Sequence, residues 1–267
     1  MPFTVSHVAA VLPVYRPLTR WRVFTAAVIG SMVPDFGMLL PGGLERWQTH
    51  SLPALLNFCL PVGLITYLVT LALIRPALIE ILPDAAYVRL ARAPPPPSLA
   101  QLRTWLAVIA ALLFGALTHL IWDGFTHENA RGVRLLPQLL DYGPNMAGHA
   151  LQLYQLLQYG SSVVGLALVL AALALWLYHA PTPRQPPARR LDLAERTLWI
   201  VLYLALPLAA CAASIVFLLR HAFVPVWSGT GLGMIAIAGM RATVISLLLI
   251  SALMRARLAA KANVTAP

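Results

Sequence analysis

Five long apolar segments set the strongest limit on what this chain can fold into. Each holds about 20 mainly apolar residues, the length that an α-helix needs to cross the hydrocarbon core of a bilayer. A sixth segment, Val23 to Leu40, is marginal because its clean apolar run ends at Val33. The five segments are Leu52 to Ile74, Thr104 to Trp122, Ser162 to Tyr178, Leu198 to Leu219 and Leu232 to Met254.

The composition supports a membrane protein. Hydrophobic residues make up 60% of the 267 residues and charged residues only 10%, against about 25% charged residues in an ordinary soluble domain. These values exclude a soluble globular enzyme, a disordered protein and a coiled coil. We therefore predict an all-α, polytopic integral membrane helical bundle with five to six spans and no soluble domain. The net charge of +10 is expected to lie in loops, so no nucleic-acid partner is predicted.

The positions of Lys and Arg predict the orientation of the spans, because cytoplasmic loops carry an excess of these residues. With six spans and a cytoplasmic N-terminus, 14 of the 19 basic residues lie in cytoplasmic loops and 4 lie outside. If residues 1–50 are instead embedded from the outer face, the counts become 11 and 7. We favour the second arrangement, with five spans. Both arrangements predict a multi-pass protein of the cytoplasmic membrane with a cytoplasmic C-terminus.

The clearest chemical signal is the stretch from His119 through Asp123 to His127. The spacing i, i+4, i+8 places the three side chains on one stripe of a helix. Imidazole and carboxylate ligands suit zinc or another divalent first-row metal. The alternative is a helix end with a capping Asp and interfacial His residues. An ionisable group inside a membrane is costly and indicates function by default, which favours a metal site.

Three upstream motifs carry further candidate ligands: Ser6-His7, Pro34-Asp35 and Arg46-Trp-Gln-Thr49-His50-Ser51. A lone His is more often a satisfied polar residue than a ligand, but the loop assignment brings several candidates to one side. His50 begins a span that runs inward, and His119 and Asp123 end a span that runs outward. Asp35 can join them at the outer face. His7 can join only if the N-terminal segment does not cross the membrane.

The order of these motifs resembles the bacterial membrane-bound metal-dependent hydrolases of the YdjM type. The last motif reads Gly115-Ala-Leu-Thr-His119-Leu-Ile-Trp-Asp123-Gly-Phe-Thr126. The opening residues 1–7 and the stretch Tyr154 to Ser162 are similar to a neighbouring, uncharacterised family of bacterial membrane proteins. The resemblance covers roughly residues 1–165, which we take as the metal-site half with three spans, and residues 166–267 carry the C-terminal spans. Glu45 replaces the His that usually precedes Arg46 in the first family.

A more distant likeness is to the zinc-dependent phospholipase C and nuclease group, which hydrolyses phosphate esters with a cluster of zinc ions. This likeness implies metal ligands at His7, Asp35, His50, His119, Asp123 and His127, with His149 at a further ligand position. The carboxylate expected four residues after His149 is absent, because position 153 is Leu. One or two ions are therefore expected, with zinc as the first choice and manganese as the second.

These resemblances imply a metal-dependent hydrolase that acts on a phosphate-containing lipid or amphiphile at the outer face of the bacterial cytoplasmic membrane. Asp35 is expected to be catalytic, as a general base or a bridge between metals. Arg241, Gln152 and Gln158 are expected to bind the substrate, although helix-end carbonyls can equally satisfy Arg241. A transporter or lipid-handling protein that binds protons or ions at the cluster is the alternative. A structural or assembly protein is the third, and the oligomeric state stays open.

Overall fold

The computed structural model describes residues 3–40, 42–90, 97–146, 149–181, 190–221 and 224–264. Helices make up nearly all of the regular structure in these ranges. The α-helices are Tyr15–Arg20, Phe24–Gly30, Arg46–Thr49, Leu52–Ala54, Leu60–Val69, Arg75–Ile81, Asp84–Leu90, Leu102–Asp123, Arg131–Leu135, Leu153–His179, Leu193–His221 and Gly229–Val264. The 3₁₀ helices are Thr4–Val14, Val33–Leu39 and Pro137–Leu140, and π-helical turns occupy Leu55–Cys59 and Thr70–Ile74. Strands Tyr142–Met146 and His149–Gln152 pair antiparallel.

Five helices within the described ranges are long and apolar enough to cross a membrane. We call them spans 1 to 5, and they are Leu52–Ile81, Leu102–Asp123, Leu153–His179, Leu193–His221 and Gly229–Lys261. Many of their large apolar side chains face outward, as Val163 does at 71% exposure, which is typical of helices that meet lipid. The prediction of an all-α, multi-pass membrane protein is confirmed. The segment Val23 to Leu40 forms two short helices rather than a sixth span.

Residues 4–37 fold into a helical hairpin, which we call the N-terminal hairpin. Its first arm runs from Thr4 to Arg20, and its second arm begins at Phe24. The chain reverses at Arg22, whose φ of 58° lies in the left-handed region that suits a tight reversal. Both arms contain 3₁₀ helix, which rises about 2.0 Å per residue instead of 1.5 Å. Each arm therefore reaches further than an α-helix with the same number of residues.

The N-terminal hairpin lies along span 2. Near the chain reversal, Trp21 lines a shallow groove together with Arg103, at the first turn of span 2. At the open end of the hairpin, His7 and Asp35 contact residues in the last turns of span 2. The hairpin thus extends along the whole of span 2, and both of its arms deliver a side chain to the same end.

Two glycines let the second arm contact the backbone of span 2 directly. A Cβ atom on Gly30 would overlap the carbonyl oxygen of Leu112, and one on Gly115 would overlap the carbonyl oxygen of Ala27. Backbone atoms cannot rotate away as a flexible side chain can, so a larger residue would move the arm. These two contacts fix the height at which the second arm meets the end of span 2.

Contacts divide the chain into two compact units. Unit 1 comprises Met1–Gly37, Gly43–Tyr67 and Pro95–His179, and unit 2 comprises Met38–Gly42, Leu68–Pro94 and Ala180–Pro267. Unit 1 thus contains the N-terminal hairpin, the first half of span 1, and spans 2 and 3. In unit 2, spans 4 and 5 pack around a core that includes Trp199, Tyr203 and Met254. The hydroxyls of Tyr203 and Ser251 lie 2.8 Å apart in that core.

Candidate metal site

Two carboxylates and two imidazoles meet at the end of span 2, inside unit 1. Asp35, His50, His119 and Asp123 each offer one ligand atom, and the four atoms all lie within 4.8 Å of one another. The Nε2 atom of each histidine lies 3.4–3.6 Å from Asp35 Oδ1 and from Asp123 Oδ2. We call these four residues the metal cluster. It can hold a metal ion, and it brings together four ligands that the sequence predicted.

The four N–O distances of the metal cluster fit ligands that share one small divalent ion. Zinc binds imidazole nitrogen and carboxylate oxygen at about 2.0–2.1 Å, which places two ligand atoms of a tetrahedron about 3.3 Å apart. The observed N–O distances of 3.4–3.6 Å are close to this value. They exceed the roughly 2.7–3.2 Å of a hydrogen bond. The atoms are therefore spaced for a shared cation rather than for direct hydrogen bonds.

The backbone sets the tautomer of His119. Its Nδ1 lies 2.8 Å from the carbonyl oxygen of Ser31. A carbonyl oxygen only accepts, so Nδ1 carries a proton, and in the neutral imidazole Nε2 then presents a lone pair. That lone pair faces the carboxylates of Asp35 and Asp123, which also offer only lone pairs. A cation between them would turn this mutual repulsion into attraction, and the fixed tautomer is the one that a metal ligand needs.

Burial strengthens the case for a bound cation. The side chains of Asp35 and Asp123 are 1% exposed and that of His119 is fully buried. Asp35 Oδ1, His50 Nε2 and His119 Nε2 have no hydrogen-bond partner within the described part of the chain. Buried polar atoms are nearly always paired. One divalent ion would satisfy all three atoms at once.

The residues around His50 hold its ring in place. Its Nδ1 lies 2.7 Å from the hydroxyl of Thr49, and the carbonyl of Thr49 accepts a bond of 3.6 Å from the thiol of Cys59. The hydroxyl of Ser51 accepts a hydrogen bond from the backbone N–H of Ala54 and so caps the start of span 1. The Thr-His-Ser motif therefore combines a ligand, a residue that orients it and a helix cap.

Two further imidazoles flank the metal cluster. The ring of His7 stacks on that of His119 with centroids 3.7 Å apart, and its Nε2 lies 3.5 Å from Asp123 Oδ1. The Nδ1 of His127 lies 3.7 Å from Asp123 Oδ2 and 3.2 Å from the carbonyl oxygen of Asp123. The N-terminal segment thus brings His7 to the same end of span 2 as the cluster. Asp123 has one carboxylate oxygen in the cluster and the other beside His7.

The titratable groups outside the spans are in the forms that bind metals. Burial lowers the pKa of His7 and of His127 to about 4, so both are neutral at pH 7. Burial also lowers the pKa of His50. Burial alone would raise the pKa of Asp35, but the imidazoles of His119 and His50 outweigh it and hold this pKa well below its usual range. Neutral imidazole and ionised carboxylate are the ligand forms that metals require.

Most of the chain matches one known protein family. The model of a family described as a domain of unknown function (DUF4184) matches residues 1–254. The chain belongs to this family. The matched region contains the whole metal cluster as well as His7 and His127. No curated protein and no solved structure matches the chain.

Two residues of this DUF4184 protein that the sequence did not assign as ligands or substrate contacts bind the carboxylates of the cluster. Arg46 Nη2 donates a 2.9 Å bond to Asp123 Oδ2, and the Arg46 side chain is 39% exposed. The hydroxyl of Thr4 donates a 2.7 Å bond to Asp35 Oδ2. Arg46 opens the motif that contains Thr49 and His50, and its place beside a predicted ligand was the signal in the sequence that could have revealed its role. Nothing in the sequence distinguishes Thr4 from other polar residues near the N-terminus.

The start of span 3 anchors the first arm of the N-terminal hairpin. Ser162 accepts a 3.0 Å bond from the backbone N–H of Phe3 through its hydroxyl and a 2.7 Å bond from the hydroxyl of Ser6 through its carbonyl. A Cβ on Gly165 would lie 2.8 Å from the carbonyl oxygen of Ser6. The stretch Tyr154 to Ser162, noted in the sequence, thus holds the residue next to His7.

The remaining predicted site residues have other partners, and their roles in binding substrate stay predictions. Gln152 Nε2 donates to the carbonyl of Leu140. The side chain of Gln158 is buried, and its carbonyl accepts from the hydroxyls of Ser161 and Ser162. In unit 2, Arg241 donates to the carbonyls of Met38 and Leu40. These are the helix-end carbonyls that the sequence predicted as the alternative to a substrate for Arg241. The side chain of His149 lies outside the described residues.

Thr49→Val tests whether the Thr49 hydroxyl orients His50. Valine keeps the shape of threonine but removes the partner of His50 Nδ1, so the ring loses its fixed direction. We expect zinc affinity to fall about 10–100-fold, the usual cost of losing a group that orients a ligand. Competition with a chromophoric chelator measures it. Thr243→Val is the matched control, since that hydroxyl bonds only a helix carbonyl in span 5. Equal zinc affinity in both variants would contradict the role of Thr49.

Proposed function

We propose that this protein is an integral membrane metal-dependent hydrolase, with a ligand set of the zinc type, that acts on a phosphate-containing lipid or amphiphile. One observation carries the proposal. The four-residue metal cluster has two more neutral imidazoles, His7 and His127, and the guanidinium of Arg46 beside it. A structural zinc site is complete with four protein ligands. Six candidate ligand side chains exceed the four that close a structural site, and this favours a catalytic site with one or two ions.

The residues of the chain divide into ligands and proton acceptors. The chemistry that a divalent ion supplies when bound is Lewis-acid activation of water and of a phosphoryl oxygen. The metal cluster would hold this ion. His7 would accept a proton at one of its ring nitrogens, neither of which has a hydrogen-bond partner within the described ranges. Asp35 is the other candidate base, and Thr4 fixes its second oxygen by a hydrogen bond.

Arg46 supports a phosphate-containing substrate. A guanidinium presents a planar fork of donors that matches the oxygens of a phosphate. Its partner in the structure is Asp123, through the same oxygen that belongs to the metal cluster. A cation bound to Asp123 would weaken the pull of that carboxylate on Arg46. The guanidinium would then be available to an anionic substrate, and it is exposed enough to reach one.

The N-terminal hairpin supports a site at the outer face of the membrane. Its reversal carries Arg16, Arg20 and Arg22, and it lies beside Arg103 at the end of span 2 opposite to Asp123. Cytoplasmic ends of spans carry the excess of basic residues. The reversal therefore belongs at the cytoplasmic surface, the metal cluster at the outer surface and the C-terminus inside. The basic residues of the N-terminal segment then lie at the cytoplasmic surface, although the described residues contain only five helices long and apolar enough to span.

Hydrolysis by zinc-loaded protein in phosphatidylcholine nanodiscs tests the proposal. A lipid phosphate monoester, a phosphodiester and a diphosphate would be offered separately, and released phosphate or headgroup would be measured. We expect turnover of at least one class, abolished in Asp123→Asn. No turnover of any class by fully loaded protein would count against a hydrolase. Metal-dependent uptake of protons or ions into sealed vesicles would then favour the transporter.

Arg46→Gln separates substrate binding from metal binding. The loss of charged hydrogen bonds to a phosphate costs about 1.5–3 kcal/mol, so we expect kcat/KM to fall about 10–100-fold. Because Arg46 also bonds the ligand Asp123, wild type and variant are compared at saturating zinc, with equal zinc content verified by elemental analysis. Arg103→Gln, at the opposite end of span 2, serves as the control. Unchanged kcat/KM in Arg46→Gln would exclude a role for this residue in binding phosphate.

A further inference from the structure

A groove beside the metal cluster runs from His7 along span 3. This cavity has a volume of about 460 Å³ and lies within unit 1, between the first arm of the N-terminal hairpin and span 3. The volume is within the range of about 300–1,000 Å³ that small-molecule sites occupy. Its walls are mainly apolar or small, and include Ala9, Ala10, Leu157, Gly160, Val164 and Leu168.

The length of the groove matches one leaflet of a bilayer. Its lining on span 3 extends from Leu156 to Leu168. Twelve residues of α-helix rise about 18 Å, and half of a hydrocarbon core is about 15 Å thick. Leu156 lies at the start of span 3, and Leu168 lies near its middle. The groove therefore follows the path of a single lipid chain from the membrane surface to the bilayer centre.

The lining of the groove combines polar groups with hydrocarbon. His7 lines the groove and also stacks on His119 of the metal cluster. Trp122 lines it too and donates a 3.1 Å bond from its indole N–H to the hydroxyl of Ser161, and tryptophan is enriched at the membrane interface. Val164 and Leu168 offer only hydrocarbon. An amphiphile with its polar group at His7 and its chain along these apolar side chains would match this lining.

We propose that the groove binds one hydrocarbon chain of the amphiphile whose phosphate reacts at the metal cluster. This rests on the proposed function and narrows the substrate class. The substrate is a lipid phosphate whose hydrocarbon chain lies in the groove, and a water-soluble phosphate ester without such a chain is a poor substrate. His7 is the described residue that both lines the groove and contacts the cluster, so chain binding would place the phosphate beside it.

Gly160→Phe blocks the groove without moving the backbone. A Cβ on Gly160 meets no atom within 4 Å, so the phenyl group can enter the cavity that Gly160 lines. Gly233 in span 5 is equally open around its Cβ, and Gly233→Phe is the matched control. The probe is phosphatidic acid with a diazirine near the end of one acyl chain, carried in phosphatidylcholine nanodiscs. Photolysis followed by peptide mass spectrometry locates the adducts.

We expect wild-type adducts to concentrate on the groove-lining residues of span 3 and on Ala9 and Ala10. Gly160→Phe should reduce them at least about tenfold, because several methylene groups lose their burial, and Gly233→Phe should not. Excess dodecyl phosphate should compete with the probe. If Gly160→Phe fails to fold, the wild-type map and this competition decide alone. Adducts spread evenly over spans 3 to 5, or equal and uncompeted labelling by a phosphatidylcholine probe, would overturn the proposal.

The same experiment separates the groove from the proposed hydrolase. Labelling requires neither a metal nor turnover, so it is carried out on protein with and without zinc. Groove adducts in a protein that binds no zinc and hydrolyses nothing would support chain binding while the hydrolase proposal fails. Turnover without groove adducts would support the hydrolase proposal and contradict chain binding in the groove.

Discussion

Asp123→Asn is expected to be purified without metal, whereas the wild-type protein retains one or two zinc ions per chain. Asp123 Oδ2 forms two of the four short N–O edges of the metal cluster, with His50 and His119. Asparagine has nearly the same size but no charge, so packing is kept while the anionic ligand is lost. Residues that merely orient ligands contribute about 10–100-fold to metal affinity, and a ligand should contribute more.

Elemental analysis of detergent-purified protein, prepared without chelator, measures this result directly. Thermal unfolding gives a second readout. An ion that binds only the folded state raises the free energy of unfolding by RT ln(1 + [L]/Kd), and Tm rises as a result. Chelator should lower the Tm of the wild type and leave that of Asp123→Asn unchanged. His179→Ala, an exposed residue at the end of span 3, should behave as the wild type. A wild-type protein that neither holds nor takes up metal would leave the cluster as a proton- or ion-handling site.

The five spans could be predicted because one physical requirement dominates them. A helix in lipid satisfies its own backbone and must be apolar over the thickness of the hydrocarbon core, and this leaves a long, unmistakable signal. Helix ends carry a weaker signal. Span 3 begins at Leu153, nine residues before the predicted start at Ser162, because polar residues such as Gln155 and Gln158 close backbone hydrogen bonds as well as apolar residues do.

The path of the N-terminal hairpin could be predicted only in part. The short apolar run before Pro34 indicates that this segment does not span by itself. The depth that the hairpin reaches depends on 3₁₀ geometry and on the contacts of Gly30 with Leu112, neither of which leaves a local pattern. For the same reason, the basic residues near Arg20 could not be assigned to a side of the membrane from the sequence.

The candidate site could be predicted to the extent that its residues are metal ligands. His119 and Asp123 share a helical face by spacing alone, and the loop assignment brought Asp35 and His50 to the same side. The groups that serve these ligands carry no such signal. The carbonyl of Ser31 is a backbone atom, and any residue type would supply it. Their positions depend on tertiary contacts, which only the structure reveals.

Gly115→Ala is expected to remove the metal from a site that it does not touch. The added methyl group would overlap the carbonyl oxygen of Ala27 and lie 2.6 Å from the backbone nitrogen of Ser31. Both obstacles are backbone, so the second arm of the N-terminal hairpin must shift away from span 2. That shift would break the hydrogen bond that His119 Nδ1 donates to the carbonyl of Ser31. Overpacking of this kind costs about 1–3 kcal/mol, and zinc content should fall well below that of the wild type.

Gly160→Ala is the matched control, because it adds the same methyl group in a helix of the same unit with no atom within 4 Å. It should keep its zinc and gain up to about 1 kcal/mol from improved helix propensity. Gly30→Ala, on the other side of the same contact, should behave as Gly115→Ala. Full zinc content and normal Tm in both glycine variants would mean that this close approach does not position the cluster. Loss in both would explain why glycine stands one turn before His119 in the motif.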